Sequence, residues 1–188
     1  MPDTAMAELR APDDALARKA QTGDQDALRT LIRRLYPGVY AFVFRMLHHE
    51  EDARDVTQDV FLRMTAHIHE YRGEYKFTTW LFRIAINRAR DILRTRGRKF
   101  ADIDQVPETA TALAGPEGLI SKDEDRQRVL DSIRRLPESV RECLLLAYQL
   151  GLPHAEIASM MNITPNAVKL RVHKALQLLR SELKRSNS

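Results

Sequence analysis

The sequence predicts an all-α protein: two small helical domains joined by a flexible acidic linker, the C-terminal one a helix-turn-helix. Three observations carry that expectation. First, Thr78 to Lys99, wound at about 3.6 residues per turn, sorts Leu81, Phe82, Ala85, Ile86, Ala89, Ile92 and Leu93 onto one arc and Arg83, Asn87, Arg90 and Arg94 onto the other. Second, the charge changes sign twice. Six basic side chains oppose Asp91 between Arg88 and Lys99, seven acidic ones oppose Lys122 from Phe100 to Asp125, and six basic ones oppose Glu182 from Asn166 onward. Pro107, Gly115, Pro116 and Gly118 interrupt any periodicity in the acidic stretch. Third, Thr164-Pro165 follows a turn signal at Asn162-Ile163 and opens a second periodic run, the pattern of two helices around a tight turn. The expected domains are therefore 1–99 and 121–188, with a linker over 100–120.

The totals set wide bounds. A chain of 188 residues holds one domain or two small ones, and no apolar run is long enough for membrane insertion. Met1 to Arg10 lacks the apolar core of a secretory signal, so a cytoplasmic protein is expected. The single cysteine, Cys143, lies in an apolar run and can form no intrachain disulfide, which suits a reducing compartment and a place in the core. The net charge of +4 is modest; its distribution is more informative.

In chain order, Asp13-Asp14 opens a short helix that ends near Gly23, and Asp24 is placed to cap the next, with Ala27, Leu28, Leu31, Ile32 and Leu35 at helical spacing. Pro37 is expected to interrupt before a third, strongly apolar segment from Val39 to Leu47. From Glu50, carboxylates fill a first helical turn. Val56, Val60, Met64 and Ile68 then line one face, while Asp55, Gln58, Asp59 and Leu62 share the other, an acidic surface with a lone leucine in it. Such a surface is either a solvated helix face or a dock for a basic partner helix. His48, His49, His67 and His69 point apart, no cysteine is near and no His-Glu-x-x-His motif occurs, so neither a metal nor another cofactor is expected.

Tyr71, Tyr75 and Phe77 lead through a Gly73 turn into the Trp80 helix. They either fold back as core or line a pocket for an extruded base. Trp80 projects toward the polar arc, where it either packs beneath a neighbour or stacks on an unpaired base beside guanidinium groups. Past the linker, Ser121 to Glu124 has capping-box spacing for a helix through Val129, Leu130 and Ile133. Leu136-Pro137 marks a restart through Val140, Leu144, Leu145 and Tyr148, and Gly151 a stop. In the helix-turn-helix, Thr164 is the N-cap of a helix that turns Val168, Val172, Ala175, Leu176 and Leu179 inward. Asn166, Lys169, Leu170, His173 and Lys174 face outward and Arg171 lies at the boundary. A three-helix cap with no DNA role is the alternative.

Both halves resemble one family, the extracytoplasmic-function (ECF) sigma factors, promoter-specificity subunits of bacterial RNA polymerase. Glu51 to Leu62, followed by Thr79-Trp80-Leu81-Phe82-Arg83-Ile84-Ala85-Ile86-Asn87, is similar to the family's second conserved region. Leu136-Pro137 through Arg141, Glu156-Ile157-Ala158 and Ala167 to Ala175 are similar to its fourth. The resemblance implies an alternative sigma factor rather than an enzyme, with core RNA polymerase, promoter DNA and an anti-sigma factor as partners. It places Asp52, Asp55, Gln58, Asp59 and Leu62 on the polymerase. The minus-ten element falls to Tyr75, Lys76, Phe77, Thr78, Trp80, Arg83, Asn87, Arg90 and Arg94. The minus-thirty-five element falls to Thr164, Asn166, Lys169, Leu170, Arg171, His173 and Lys174. Two positions depart from the family's habit: Leu170 stands where a small polar residue is frequent, and Leu176 where an arginine is common.

A repressor that used only the C-terminal motif would leave the Trp80-arginine face and the acidic face unexplained. An enzyme would need a nucleophile-base pair, a glycine-rich phosphate loop or a metal cluster, and the sequence offers no such constellation. The linker reading predicts that limited proteolysis cuts first within 100–120; a segment as protected as the helices would contradict it.

Overall fold

Caps and turns place the first breaks in the chain. In the computed structural model, which describes residues 12–97 and 123–186, α1 (Asp13–Gln21) ends just before Gly23, whose φ of 92° turns the chain. The Asp24 carboxylate then accepts from the backbone amides of Asp26 and Ala27, both at 3.0 Å, and opens α2 (Gln25–Leu47). At the far end His48 takes a left-handed conformation with φ 52°, and His49 caps α3 (Glu50–His67), whose first turn carries Glu50, Glu51 and Asp52. A short 3₁₀ turn, Ile68–Glu70, leads through a loop into α4 (Phe77–Gly97).

The expected break at Pro37 does not occur, since α2 runs through it for 23 residues. Ala27, Thr30 and Leu31 before the proline and Val39, Phe42, Val43, Met46 and Leu47 after it are all buried, so one continuous helix puts both halves of the apolar face into the core. Pro37, Gly38 and Arg33 are exposed. The carbonyl of Arg33, which loses its amide partner to the proline ring, therefore lies on the side that water reaches.

α2 packs on α1, α3 and α4, and the first domain closes around it. Phe42 of α2 meets Phe82 of α4 edge to face, with 5.3 Å between ring centres and 80° between planes, a favoured aromatic geometry. Leu81, Ala85, Ile86 and Ala89 complete the buried arc of α4 as expected, while Ile92 and Leu93 are half-buried. Asp59 of α3 receives hydrogen bonds from Arg63, at 2.9 Å, and from Arg88 of α4, tying the two helices together at the edge of the core. Partial burial alone would raise the Asp59 carboxyl, but the two guanidinium groups outweigh it and hold the group below its ordinary value of 3.8.

The second domain contains α5 (Asp123–Arg134), α6 (Glu138–Tyr148), α7 (His154–Met161) and α8 (Pro165–Ser186). Helix α8 packs on the other three. Leu136, Val140, Leu144 and Ala175 form a buried cluster backed by Ile133, Leu176, Leu178 and Leu179. Leu176 thus faces inward, as its position in the periodic run predicts. Cys143 is fully buried with its Sγ 3.3 Å from Met161 Sδ, a core residue as expected. Buried Arg141 donates from Nη1 to the Arg134 carbonyl at 3.1 Å, placing a cation on the last turn of α5. The linker over 100–120 and the Ser121 half of the capping box lie outside the described residues.

Because the Asp59 carboxyl is lowered on folding, the stability it contributes is present above its unfolded value of 3.8 and is lost as pH falls through the folded one. Asp59→Asn is expected to cost on the order of 1 kcal/mol at neutral pH, a figure discounted for solvent screening of a part-exposed pair. Melting curves for the two proteins should converge once the pH has fallen below the folded-state value of Asp59, which lies under 3.8. An undiminished difference there would show that Asp59 acts through packing.

Candidate nucleic-acid and polymerase interfaces

On α3 the buried face (Ala53, Val56, Val60 and Met64) fixes what the opposite face shows. Asp55 and Gln58 are exposed, and Leu62 is 63 % exposed, far more than an apolar side chain with a partner in the domain would be. Asp52 and Asp59 are half-buried, and Asp59 is held by Arg63 and Arg88. Of the five residues expected on this surface, Asp55, Gln58 and Leu62 are exposed, Asp52 is half-buried, and Asp59 links α3 to α4.

The start of α4 is built across the domain. Asp14 Oδ1 on α1 accepts from the Phe77 amide at 2.6 Å and lies 2.7 Å from the Tyr71 hydroxyl. That hydroxyl is also 2.8 Å from the Tyr75 carbonyl, so its single proton serves one acceptor or the other. Burial, followed by the Asp14 hydrogen bond and charge, pushes Tyr71 up to about 12. Gln21 Nε2 donates to the carbonyls of Ile68 at 2.9 Å and Tyr71 at 2.6 Å. Tyr71 is buried, which settles its open alternative in favour of core, and Phe77 is fully buried.

Phe77 was expected among the base-stacking residues, and that expectation is corrected. Its ring packs against Tyr71 at 5.2 Å and Trp80 at 5.5 Å and offers no face to a ligand. As the first residue of α4 it falls in register with Leu81, on the buried arc. Phe77 and Tyr71 instead support Trp80, which is half-buried and keeps part of its surface open. Trp80, Ile84 and Asn87 line a surface groove with Arg63, His67, Glu70, Arg88 and Asp91. Asn87 is exposed, as are Tyr75, Lys76 and Arg94, while Thr78, Arg83 and Arg90 are half-buried. The Arg83 guanidinium lies 6.0 Å over the Tyr75 ring. On the groove wall the His67 ring, 2.8 Å from Glu70, holds the Glu70 carboxyl below its usual range. Sequence reasoning missed this wall, because its residues come from the end of α3 and the 3₁₀ turn after it and meet α4 only in the fold.

In the second domain Asn162, with φ 55°, makes the tight turn, and Thr164 Oγ1 accepts from the Ala167 amide at 3.1 Å to cap α8. Both features match expectation. Thr164, Asn166 and Lys169 are exposed at the first turns of α8, and Leu170, Arg171 and Lys174 are half-buried. His173 is half-buried too, and its Nε2 is buried without a hydrogen-bond partner, so in this conformation that nitrogen is not open to a ligand.

The comparisons with known proteins follow the same division. Residues 31–99 match sigma-70 region 2, and residues 126–179 match sigma-70, region 4. The chain is 31% identical to the RNA polymerase sigma-H factor of Pseudomonas aeruginosa over 176 residues, covering 89% of this chain and 91% of that protein. It is 33% identical to the ECF RNA polymerase sigma-E factor of Escherichia coli K12 over 176 residues, covering 89% and 92%. Two solved structures share the fold at 24% identity. CnrH in complex with the cytosolic domain of CnrY has a TM-score of 0.68, covering 92% of this chain and 97% of that one. The Bartonella quintana sigma factor RpoE, in complex with the anti-sigma factor NepR, has a TM-score of 0.66, covering 83% and 96%. With region 2 in one helical domain, region 4 in the other and ECF relatives along nearly the whole length, this chain belongs to the ECF group of the sigma-70 family, alternative sigma factors that direct promoter-specific transcription initiation.

Proposed function

We propose that the two domains divide the work of initiation. The exposed α3 surface around Asp55, Gln58 and Leu62 docks on core RNA polymerase. The α4 groove and the Tyr75 loop capture the unpaired minus-ten strand, and the start of α8 reads the minus-thirty-five duplex. The role is regulatory and noncatalytic, since the polymerase supplies the chemistry, and it is exercised in the cytoplasm. Residues 100–120 act as the tether between the domains. An anti-sigma factor, the class of partner with which the Bartonella quintana protein was solved, is proposed as a third partner that covers one of these surfaces.

The observation that carries the reading is Trp80, braced from behind by Phe77 and Tyr71 yet open toward a groove that also holds Asn87 and arginines. Stacking of a base on such a ring is worth roughly 1–3 kcal/mol. That is comparable with the few kcal/mol needed to unstack and unpair one base, so capture stabilises an opening that the duplex resists. Asn87 offers both a donor and an acceptor to a base edge, and Arg94 offers charge to the backbone.

In transcription assays Trp80→Ala or Asn87→Ala should impair open-complex formation on duplex promoters far more than on templates with a pre-melted minus-ten bubble. Equal loss on both would assign Trp80 to packing. Asp55→Lys combined with Leu62→Ala should weaken holoenzyme assembly at least about tenfold while leaving helical content and melting intact, because both side chains are exposed. Unchanged assembly would remove α3 from the docking surface. Leu170→Ser should shift base preference within the minus-thirty-five element, since an apolar side chain suits a thymine methyl and a hydroxyl seeks a hydrogen bond.

A further inference from the structure

The match to sigma-70 region 2 begins at residue 31, which leaves α1 outside it. Yet α1 makes side-chain hydrogen bonds to a segment 47 to 63 residues further along the chain. Its apolar residues Leu16, Ala17 and Ala20 enter the core. Asp14, Arg18 and Gln21, at positions i, i+4 and i+7, share another face, and that face lies along the segment from Ile68 to Phe77. Gln21 holds the carbonyls of Ile68 and Tyr71 at the entry to the loop. Arg18 brings a guanidinium nitrogen to 3.9 Å from where a β-carbon on Gly73 would sit, at a residue whose φ is 77°. Asp14 holds the Phe77 amide and the Tyr71 hydroxyl at the exit. The loop is therefore fixed at both ends by one helix.

We propose that α1 is a specificity brace: Asp14 and Gln21 act as positioning residues that set the conformation of the Tyr71 to Lys76 loop and thereby the base preference at the minus-ten element. The inference rests on the minus-ten role proposed above for that loop. The physical reason is that Tyr75 and Lys76 are exposed, with the Arg83 guanidinium 6.0 Å over the Tyr75 ring, so their placement depends chiefly on the backbone that carries them. That backbone is tied down at Ile68, Tyr71 and Phe77. Without the Asp14 acceptor the Phe77 amide, one of the unpaired donors at the start of α4, loses its partner, and the loop and first turn gain alternative conformations. A loop free to rearrange accommodates more than one extruded base. Loss of the brace thus predicts relaxed selection, which differs from uniformly weaker binding.

The test is a selection from a duplex promoter library randomised at the minus-ten element, with holoenzyme carrying wild-type chain, Asp14→Ala, Asp14→Asn, Gln21→Ala or Tyr75→Ala. Asp14→Ala and Gln21→Ala should reduce discrimination at minus-ten positions by roughly tenfold, within the range a good base contact supplies, and leave minus-thirty-five preference unchanged. Asp14→Asn keeps an acceptor oxygen and should stay close to wild type. If Asp14→Ala lowers output equally on every sequence, or if Asp14→Asn is as damaging as Asp14→Ala, the brace is overturned. Should Asp14→Ala fail to fold, Gln21→Ala, which frees the loop entry and leaves Asp14 in place, carries the expectation alone: relaxed minus-ten selection supports the brace, and uniformly lower output overturns it. Tyr75→Ala separates the inference from its foundation. If it leaves minus-ten preference intact while Asp14→Ala changes it, the assignment of Tyr75 as a reader is wrong and the brace stands; if neither changes it, both fall.

Discussion

The edge-to-face contact between Phe82 and Phe42 fixes which way α4 looks, and the first domain depends on that choice. With Phe82, Leu81, Ala85, Ile86 and Ala89 in the core, the alternating register of the helix sends Asn87 and Arg94 outward and leaves Trp80 at the boundary. Turning α4 by one residue would bury Arg83 and Asn87 in one sense of rotation, and in the other would bury Arg88 and expose Phe82. The cost of such a buried polar group exceeds anything a surface contact returns. The charged face is therefore a consequence of the core. Asp59 and Arg88 add a second constraint at the edge, holding α3 against α4 so that the groove between them has two walls.

That geometry gives the two faces of region 2 different chemistry. The outer face of α3 carries acid and one unsupported leucine, a pairing suited to a protein surface that is basic and has an apolar notch. Across α4 the exposed and half-buried groups are mainly amide, aromatic and cationic, with Asp91 the acidic exception beside Arg88, which suits a strand of unpaired bases on a phosphate backbone. In region 4 the start of α8 is capped by Thr164, and the exposed Asn166 and Lys169 there combine an amide able to bond a base edge with a charge able to meet a phosphate, as the proposed role requires. Leu176 packs against the core of that domain, leaving Leu170 as the departure on the surface proposed to face DNA.

Much of this was legible in the sequence because it is local. The faces of α4, the Asp24 and Thr164 caps and the Asn162 turn each depend on residues within a few positions of one another. What was not legible depends on distance along the chain or on competition between rules. Pro37 obeys a local rule that loses to the burial of one continuous apolar face. Phe77 looked like part of an exposed aromatic group, but helical register places it with Leu81. Asp14 looked like a helix-start carboxylate and turned out to hold residues 57 and 63 positions away. His173 follows the outward spacing of α8, yet its Nε2 is buried.

The central claim is that three separate surfaces of this chain meet three different parts of the initiation complex. Site-specific photocrosslinking in an open complex tests it most directly, with a photoreactive residue placed in turn at the positions of Leu62, Asn87 and Lys169. The account predicts that the first labels polymerase, the second the non-template strand at the minus-ten element, and the third duplex DNA upstream at minus-thirty-five. Labelling of polymerase instead of DNA from position 87, or of DNA instead of polymerase from position 62, would contradict it.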